Sequence, residues 1–441
     1  MFGLGSSDPY VVINAVFTLL FAACFGYQLV YILISAFRRA PGFAPAEPGR
    51  YAVLVCARNE EVVIARLVGS VREQNYPVEL VDLYVLADNC TDDTAKVARA
   101  AGAQVFERHN SSHVGKGYAL DYLIGQISNG GQSWAYDGYI ILDADNILDQ
   151  NFISEMNNAL QSGQSIVTSY RDSKNFADNW LSAGYSLWWL RESRYFNGAR
   201  SRLGLSAQVW GTGFAIRGDL LEELGGWHFY TLAEDVEFSF AMIVSGRRIG
   251  YNPNAIIYDE QPTRLKQAWD QRVRWIKGYF QAYRLYDLKM LRCLLKTGNF
   301  ACYDLLLNTL IGPLVTLAAF ISFAASAITQ ALLGLPAWEP LFYFCQYVVG
   351  CYLMFFIVGC ITAFSEHGRI YASRSKIICY AFSFPLFFFI MMPMILYIPF
   401  DKRGWPHIEH THAIGVDDVK EAVRSGRPPG TDATPDDKRS D

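Results

Sequence analysis

The sequence predicts a Rossmann-like α/β domain combined with an α-helical membrane region. Uncharged apolar runs lie near both ends of the 441-residue chain, and each is long enough to cross a hydrocarbon core about 30 Å thick. Between them, from about residue 49 to residue 258, short β-rich runs alternate with helical stretches. This alternation is typical of a parallel sheet covered by helices. The composition agrees, because 51% of the residues are hydrophobic and only 18% are charged.

The first apolar run, residues 11–37, predicts a membrane helix within residues 1–40. Arg38 and Arg39 follow it, whereas Asp8 is the only charged residue before it. A cleaved signal peptide carries its positive charge in front of a shorter apolar core, so this segment is not expected to be one. Because positively charged residues favour the cytoplasmic side, we expect the N-terminus outside and the α/β domain in the cytoplasm.

Three further apolar runs predict a C-terminal membrane region within residues 301–400. They cover about residues 305–335, 341–364 and 377–400. One crossing before the α/β domain and three after it would place the tail, residues 401–441, outside. Lys402 and Arg403 stand at the start of this tail, and by the same charge rule they favour the cytoplasm.

Proline interrupts the last apolar run at Pro385, Pro393 and Pro399. Because proline breaks the helical hydrogen-bond ladder, this run is either a kinked crossing or a bent or re-entrant segment. A re-entrant segment would return the tail to the cytoplasm, and we favour that arrangement. Beyond Arg424 the tail carries no large apolar side chain, so it is expected to be disordered.

Two predicted strands of the α/β domain, residues 51–56 and 80–87, end in polar loops. Ligands of open α/β sheets bind beyond the carboxyl ends of the strands, so these loops are expected to face one crevice. An ordinary helix N-cap is the alternative for the second loop. The candidate binding residues in the two loops are Ala57, Arg58, Asn59, Glu60 and Asp88.

The third predicted strand, residues 139–142, runs into Asp143 and Asp145. Carboxylates two residues apart on an extended segment project to the same side, which suits a hard cation that prefers oxygen ligands. Aspartate is also common in turns, so the pair alone is a weak signal. At the end of a buried strand in this topology the pair predicts a Mg²⁺ or Mn²⁺ site.

Two further clusters follow later in the chain. Glu234 and Asp235 lie side by side before an amphipathic helix, where a carboxylate serves either as a helix cap or as a general base. Gln271, Arg274 and Trp275 lie on an aromatic, basic helix just before the membrane region. A plain interfacial helix is the alternative there, because Trp and Arg favour lipid headgroups.

An earlier stretch, residues 179–200, also combines aromatic and basic side chains. It places Tyr185, Trp188 and Trp189 on one helical face, and we favour an interfacial helix over a plain core helix. The predicted organisation is a membrane helix in residues 1–40, an α/β domain in 49–262, interface helices in 263–300, membrane helices in 301–400 and a polar tail in 401–441.

In their order along the chain, these residues resemble the processive family-2 glycosyltransferases, which include the cellulose, chitin and hyaluronan synthases. The resemblance covers about residues 51–279. It rests on an ordered set of short motifs: Ala57-Arg-Asn-Glu60, Asp88, Gly115-Lys116-Gly117, Asp143-Ala-Asp145, Gly211-Thr212-Gly213, Glu234-Asp235 and Gln271-x-x-Arg274-Trp275. The resemblance implies a GT-A-type cytoplasmic domain and a membrane region that can guide a growing chain.

Within that family the matching positions hold the donor, the metal and the acceptor. The resemblance assigns donor binding to Ala57, Arg58, Asn59, Glu60, Asp88, Lys116, Asp143 and Arg274. It assigns acceptor binding to Gly211, Thr212, Gly213, Gln271 and Trp275. It makes Asp145 the direct metal ligand and Asp235 the catalytic base, with Glu234 beside it.

The activity that the resemblance implies is an inverting hexose transfer that extends a β-linked polysaccharide and secretes it. Asp235 would deprotonate the acceptor hydroxyl, which attacks the anomeric carbon on the face opposite the nucleotide. The metal, Lys116 and Arg274 would stabilise the leaving diphosphate. UDP-glucose is the preferred donor and UDP-N-acetylglucosamine the alternative. The implied location is the lipid bilayer of the plasma (inner) membrane, as a multi-pass chain that could form a homo-oligomer.

The chain departs from the family pattern in three places. Ala233 stands where threonine is usual before the acidic pair, fewer crossings are predicted than in cellulose synthases, and their gating loop has no counterpart. The tail could cover the site instead. Its histidines, His407, His410 and His412, could bind metal, although clustered histidines in a tail are more often solvated.

Two other functions compete with this interpretation. A non-processive transferase would add one sugar to a polyprenyl phosphate or a lipid, but such enzymes usually lack the motif at residues 271–275. A transporter with a regulatory sugar-nucleotide domain would need charged residues along an ion pathway, and the apolar runs carry almost none. Nucleic-acid binding is not expected, because the net charge of −4 leaves no excess of basic residues for a phosphate backbone.

Overall fold

The computed structural model describes residues 9–37, 40–128, 135–401 and 410–425. The α/β domain and the four predicted apolar runs lie within these ranges, apart from residues 129–134. Other predictions concern residues outside them: Asp8, Arg38, Arg39, Lys402, Arg403, His407 and the tail from residue 426.

A mixed sheet of eight strands forms the centre of the α/β domain, in the spatial order β3-β2-β1-β4-β7-β6-β8-β5. The strands are β1 Tyr51–Ala57, β2 Val81–Asp88, β3 Gln104–Arg108, β4 Gly138–Asp143, β5 Ile147–Leu148, β6 Ile166–Ser173, β7 Phe214–Arg217 and β8 Gly250–Asp259. β1 pairs in parallel with β2 and β4, whereas β7 runs antiparallel to β4 and β6. The predicted fold class is confirmed, and β7 together with β5, which runs antiparallel to β8, makes the sheet mixed rather than wholly parallel.

The tips of β1, β2 and β4 end at one edge of the sheet. Cys56 of β1 pairs with Leu86 of β2 and with Asp143 of β4. These central strands are buried over almost their whole length, as expected for strands that helices cover on both faces. The residues that follow the three strands therefore open onto a common edge.

Helices cover both faces of the sheet. Alternate strand residues point to opposite faces, so Val53 packs with α2 (Ile64–Arg72) and α5 (Phe152–Gln161). Leu54 packs on the other face with α4 (Lys116–Ile127) and α6 (Trp180–Arg191). The other helices of the domain are α3 Thr94–Ala100, α7 Gly198–Arg202, α8 Gly218–Glu223 and α9 Glu234–Val244.

Four apolar segments among the described residues are long enough to cross a membrane: Tyr10–Phe37, Phe300–Leu332, Trp338–Ser365 and Arg374–Phe400. They contain, in order, α1 (Pro9–Phe37), α11 (Phe300–Leu306) with α12 (Gly312–Leu332), α13 (Trp338–Ser365), and α14 (Arg374–Phe389) with α15 (Met391–Tyr397). The 33-residue α10 (Leu265–Thr297) joins the α/β domain to the second segment, and α16 (Val416–Ser425) follows the fourth.

α6 lies between the sheet and the fourth apolar segment. Tyr185 is fully buried and Trp189 is almost so. A Cβ added at Gly184 would stand 2.9 Å from the Phe387 ring. The stretch predicted to be interfacial is thus buried between the sheet and an apolar segment that packs directly on it.

Candidate active site

A cavity of about 180 Å³ opens at the carboxyl ends of β1, β2 and β4. It gathers side chains from the predicted motifs along the whole domain. These are Ala57, Arg58, Glu60, Asp88, Lys116, Asp143, Asp145, Gly211, Glu234, Asp235, Gln271, Arg274 and Trp275. Residues from the first strand and from α10 therefore meet at one edge of the sheet, as the strand-end rule requires.

Three of the predicted site residues, Asn59, Thr212 and Gly213, shape the loops beside the cavity instead of lining it. Asn59 Oδ1 accepts a hydrogen bond from the Thr91 backbone N–H at 2.8 Å, which joins the loops after β1 and β2. Thr212 Oγ1 accepts one from the Asp143 backbone N–H at 2.9 Å. Gly213 has a φ of +65°, and a side chain there would overlap β6. Their influence on a ligand is therefore through loop geometry.

Lys116, the first residue of α4, is only 8% exposed. Its Nζ forms an ion pair with the Asp143 carboxylate and donates a hydrogen bond to the Gly211 carbonyl at 2.7 Å. Burial opposes its charged form, but the carboxylates of Asp143 and Glu234 outweigh burial and raise the pKa of Lys116. Lys116 is therefore a fixed positive charge at the strand edge, suited to an anionic group.

Asp143 and Asp145 face the cavity but have different partners. Asp143 pairs with Lys116, whereas the Asp145 carboxylate lies 3.8 Å from His410 Nε2 and accepts a hydrogen bond from the Glu260 backbone N–H at 3.4 Å. A carboxylate oxygen and an imidazole nitrogen this close can both reach one divalent cation. Among the described residues no three side chains already form a metal cage. With the proton of His410 displaced when a cation binds, the Asp145–His410 pair fits a partial set of ligands.

Glu234 and Asp235 are the first two residues of α9. Burial raises the pKa of both carboxyls, and the charge of Asp235 raises that of Glu234 further, while Lys116 and Arg274 act in the opposite direction. The N-cap residue is Ala233, which makes no side-chain cap hydrogen bond. Both carboxyls line the cavity together with Lys116 and Arg274, a position from which a general base can act.

α10 turns Gln271, Arg274 and Trp275 toward the cavity, because residues three and four apart lie on one helix face. The Trp275 ring meets those of Tyr185 and Trp189 edge to face, with centroids 6.1 and 5.9 Å apart. The motif at residues 271–275 is therefore built into the wall of the cavity by aromatic contacts with α6.

A close contact sets α10 against the loop before α9. A Cβ at Gly278 would overlap the backbone nitrogen of Ala233. Tyr279, the next residue, is buried, and after burial the charge of Asp235 is the largest influence that raises the pKa of Tyr279. Glycine at 278 thus lets the helix that carries the 271–275 motif approach the acidic pair.

Further cavity residues were not predicted from the sequence: Arg171, Trp189, Trp210, Asp259 and Glu260. Arg171 forms an ion pair with Asp259, its guanidinium carbon lies 3.8 Å from the centroid of the Trp189 ring, and its Nη1 donates to the Trp210 carbonyl at 2.9 Å. Asp259 ends β8 and Glu260 follows it, so the strand-end rule could have found both. Arg171 lies within β6 and has no local signal.

The tail returns to the cavity through His410 and His412. His410 Nδ1 lies 2.9 Å from Glu60 Oε2, and His412 lies 2.9 Å from both Glu260 Oε1 and Asp178 Oδ2. Burial lowers the pKa of His410, but the surrounding carboxylates raise it to about 10. Hydrogen bonds to Asp178 and Glu260 raise the pKa of His412 to about 9. The two imidazoles are therefore paired beside the site, and the expectation of solvated tail histidines is wrong for them.

α16 fastens this part of the tail to the α/β domain. Val419 packs with Ile147 and Tyr258 at the β5–β8 edge of the sheet, and Lys420 pairs with Asp149 at 2.9 Å. Residues 410–425 of the tail therefore lie on the same side of any membrane as the α/β domain.

Residues 48–278, which are more than half of the chain, match the family described as "Glycosyltransferase like family 2". The chain is 26% identical over 245 residues to the probable glycosyltransferase YdaM of Bacillus subtilis, covering 52% of this chain and 55% of that protein. It is 26% identical over 238 residues to the beta-monoglucosyldiacylglycerol synthase of Nostoc sp., covering 52% and 49%. The chain thus spans about half the length of these curated relatives.

The chain is also 26% identical over 308 residues to the UDP-forming cellulose synthase 1 catalytic subunit of Komagataeibacter xylinus. This match covers 65% of this chain and 39% of that protein. The structure of the mannosyltransferase PcManGT from Pyrobaculum calidifontis, in complex with GDP-Man and Mn²⁺, superposes with a TM-score of 0.52 at 18% identity, covering 88% of this chain and 99% of that one. This likeness shows a GT-A-like fold. The chain belongs to glycosyltransferase family 2.

Proposed function

We propose that this chain transfers a hexose from a UDP-sugar to the growing end of a β-linked polysaccharide, with inversion, and that the polymer is secreted across the membrane. The observation that carries the proposal is one cavity that holds the acidic pair Glu234-Asp235 together with the cations Lys116 and Arg274. A base for the acceptor and positive charge for the leaving diphosphate are the two requirements of such a transfer.

Asp235 is the proposed base. Its carboxylate takes the proton of the acceptor hydroxyl while the hydroxyl oxygen bonds to the anomeric carbon. The bond from that carbon to the diphosphate oxygen breaks in the same displacement, and its electron pair leaves with the diphosphate. Attack from the opposite face inverts the configuration. The buried environment that raises the pKa of Asp235 also makes its carboxylate a stronger base.

The leaving diphosphate would be stabilised by fixed positive charge. Lys116 is held in place by Asp143 and the Gly211 carbonyl, so its ammonium needs no reorganisation when charge develops. Arg274 offers a planar fork for phosphate oxygens. Asp145 and His410 would hold the divalent cation, Mg²⁺ or Mn²⁺, which when bound supplies further positive charge to the diphosphate.

A sugar acceptor is favoured by two buried polar atoms in the cavity wall. Gln271 Oε1 and Trp210 Nε1 are buried and have no hydrogen-bond partner among the described residues. Both residues line the cavity, as do the rings of Trp189 and Trp275. Hydroxyl groups of a pyranose can satisfy both polar atoms, and the indole rings suit its apolar face. The alcohol of a lipid offers fewer hydrogen-bonding groups.

UDP-glucose is the preferred donor, which the relation to a UDP-forming cellulose synthase supports, with UDP-N-acetylglucosamine as the alternative. A second candidate function is non-processive transfer to a lipid, which the relation to a beta-monoglucosyldiacylglycerol synthase favours. The proposed location is the plasma (inner) membrane, with the α/β domain in the cytoplasm. The four apolar segments support a membrane location.

The proposal is tested with the purified chain in lipid nanodiscs with Mn²⁺. Radiolabelled UDP-glucose and UDP-N-acetylglucosamine are supplied in turn. Asp235→Asn should lower UDP release by about 100-fold or more. Asp219→Asn is the matched control, because Asp219 lies on the surface in an exposed ion pair and should release UDP normally. Unchanged release by Asp235→Asn would contradict the mechanism. A product that lengthens with time supports the polymerase, and a lipid that carries one sugar supports the second candidate.

A further inference from the structure

The fourth apolar segment, Arg374–Phe400, has the length and hydropathy of a membrane crossing. Its two ends, however, contact the α/β domain and α10, the helix that carries the cavity residues Gln271, Arg274 and Trp275. Just before it, Tyr371 is buried and its hydroxyl donates a hydrogen bond to the carbonyl of Lys174, the residue that follows β6. Just after it, the Asp401 carboxylate pairs with Lys277 of α10 at 2.9 Å. A crossing would place these ends on opposite sides of a hydrocarbon core about 30 Å thick.

The first half of the segment, α14, stays in contact with the domain along its length. Tyr380 OH donates a hydrogen bond to the Ala177 carbonyl at 3.3 Å. Two turns later, Phe387 packs on Gly184 of α6 and its carbonyl accepts a hydrogen bond from Arg272 at 2.6 Å. α14 has 16 residues, which is about 24 Å of helix and short for a crossing. It contains Pro385.

The second half, α15, runs back along α10. Met391 and Met394 pack in one cluster with Val273 and Ile276. Near the end of α15, Tyr397 meets the Trp269 ring with centroids 5.8 Å apart. Because Ile276 lies one turn after Arg272, the two halves of the segment contact neighbouring turns of the same helix.

The third apolar segment gives an independent reference for the sides of the membrane. It ends at Ser365, and the next residue, Glu366, pairs with Arg194 and accepts a hydrogen bond from Tyr170 OH at 2.9 Å. Tyr170 lies in β6, so the third segment ends on the side that holds the α/β domain, here called the domain side. The fourth segment therefore starts on the domain side.

We propose that Arg374–Phe400 is not a crossing but a hairpin that enters and leaves the membrane on the domain side. Three crossings then remain: Tyr10–Phe37, Phe300–Leu332 and Trp338–Ser365. With three crossings, the tail emerges on the domain side. His410 can then contact Glu60 although the chain does not cross the bilayer a fourth time. Four crossings would put that tail on the opposite side from the cavity that it contacts.

The three remaining crossings pack against one another through aromatic rings. Phe17 of the first lies with its ring centroid 6.0 Å from that of Phe323 in the second. Phe323 in turn lies 5.6 Å from Tyr347 of the third. A sugar chain that passed between these helices would have to part the rings. A secreted polymer would therefore require separation of the three crossings or a path outside them.

Paired reporters test the hairpin. Alkaline phosphatase, active only outside the cytoplasm, and green fluorescent protein, fluorescent only inside it, are inserted at Gly334, at Gly368 and after Asp441 of the full chain. The two glycines have open space where a side chain would begin. We expect the Gly368 and Asp441 fusions to give the same reporter signal and the Gly334 fusion to give the opposite one. Opposite signals at Gly368 and Asp441 would overturn the hairpin.

A smaller label guards against fusions that do not fold. A short epitope at the same three positions is probed with antibody in sealed inside-out and right-side-out vesicles, and each variant must retain UDP release. The hairpin requires that Gly368 and Asp441 epitopes bind antibody in the same vesicle type, and Gly334 in the other. If the Asp441 and Gly334 epitopes bind antibody in the same vesicle type, the fourth segment crosses the membrane and the hairpin is wrong.

Discussion

Arg272 joins α10 to the fourth apolar segment through Phe387. Its guanidinium carbon lies 3.5 Å from the centroid of the Phe387 ring, and its Nη1 donates a hydrogen bond to the Phe387 carbonyl at 2.6 Å. Arg272 is 1% exposed and directly follows Gln271, one of the proposed acceptor residues. The apolar segment therefore contacts the helix that carries the acceptor motif, at the motif itself.

Arg272→Lys should weaken acceptor use more than donor binding. Lysine keeps the charge but loses the planar fork that both stacks on Phe387 and donates to its carbonyl. The resulting shift of Gln271 and Trp275 should raise the acceptor KM or lower kcat by about 10-fold to 100-fold. UDP binding, measured by calorimetry, should not change. Arg284→Lys, at an exposed position of the same helix, is the control. An equal loss of UDP binding would show that the whole site has been disturbed.

The pH dependence of turnover should report the acidic pair. Asp235 must be ionised to accept a proton, and burial raises the pKa of Asp235 and of Glu234. Turnover should therefore fall as pH falls through these raised values, at a pH above the ordinary aspartate pKa of about 3.9. Because the two carboxyls titrate as a pair, Glu234→Gln should leave a single ionisation in the acid limb. An acid limb at the ordinary aspartate value would contradict a buried base.

The measurement is kcat with saturating donor between about pH 4 and pH 9. Glu222→Gln, an exposed glutamate on α8, is the control and should keep the wild-type profile.

His410→Ala should reduce the affinity for Mn²⁺. His410 Nε2 lies 3.8 Å from the Asp145 carboxylate, and loss of a metal ligand or its partner typically costs about 10-fold to 100-fold in metal affinity. The measurement is titration of free Mn²⁺ by electron paramagnetic resonance in the presence of UDP. His228→Ala removes an exposed histidine and should bind Mn²⁺ normally. Normal Mn²⁺ binding with lost activity would instead show that His410 holds Glu60 in position and does not bind the cation.

Gly278→Ala should destabilise the contact between α10 and the acidic pair. The added Cβ would overlap the backbone of Ala233, and overpacking of this kind costs about 1–3 kcal/mol. Gly69→Ala in α2 is a matched control, because nothing lies within 4 Å of the new Cβ and alanine is the better helix former by up to about 1 kcal/mol. The melting temperature should fall for Gly278→Ala and hold or rise for Gly69→Ala. A fall in melting temperature for both variants, or for neither, would contradict the close packing of Gly278 on Ala233.

The fold class and much of the cavity could be predicted because their signals are local. Each of Asp88, Asp143 and Glu60 follows or ends a buried strand, and strand ends of an open α/β sheet meet at one edge. Gln271, Arg274 and Trp275 share a helix face at spacings of three and four. Such patterns depend only on the spacing of residues along a strand or a helix, which can be read from the sequence.

Other features depend on contacts between distant residues. The direction of β7 is set by its partners β4 and β6, and its four residues alone carry no sign of it. Arg171 reaches the cavity because Asp259 and Trp189 hold its guanidinium there. His410 pairs with Glu60, 350 positions earlier in the chain. No local pattern distinguishes these residues from others of their type.

The family motifs, their order and the four apolar segments can be identified from the sequence of this protein, because composition and spacing express the preferences of short stretches of chain. Long-range contacts in the folded chain show which of those stretches share a site and on which side the fourth segment ends. Hydropathy measures the free energy of moving a segment out of water, which is the same for a hairpin and for a crossing. The contacts of Tyr371 with the α/β domain and of Asp401 with α10 distinguish the two.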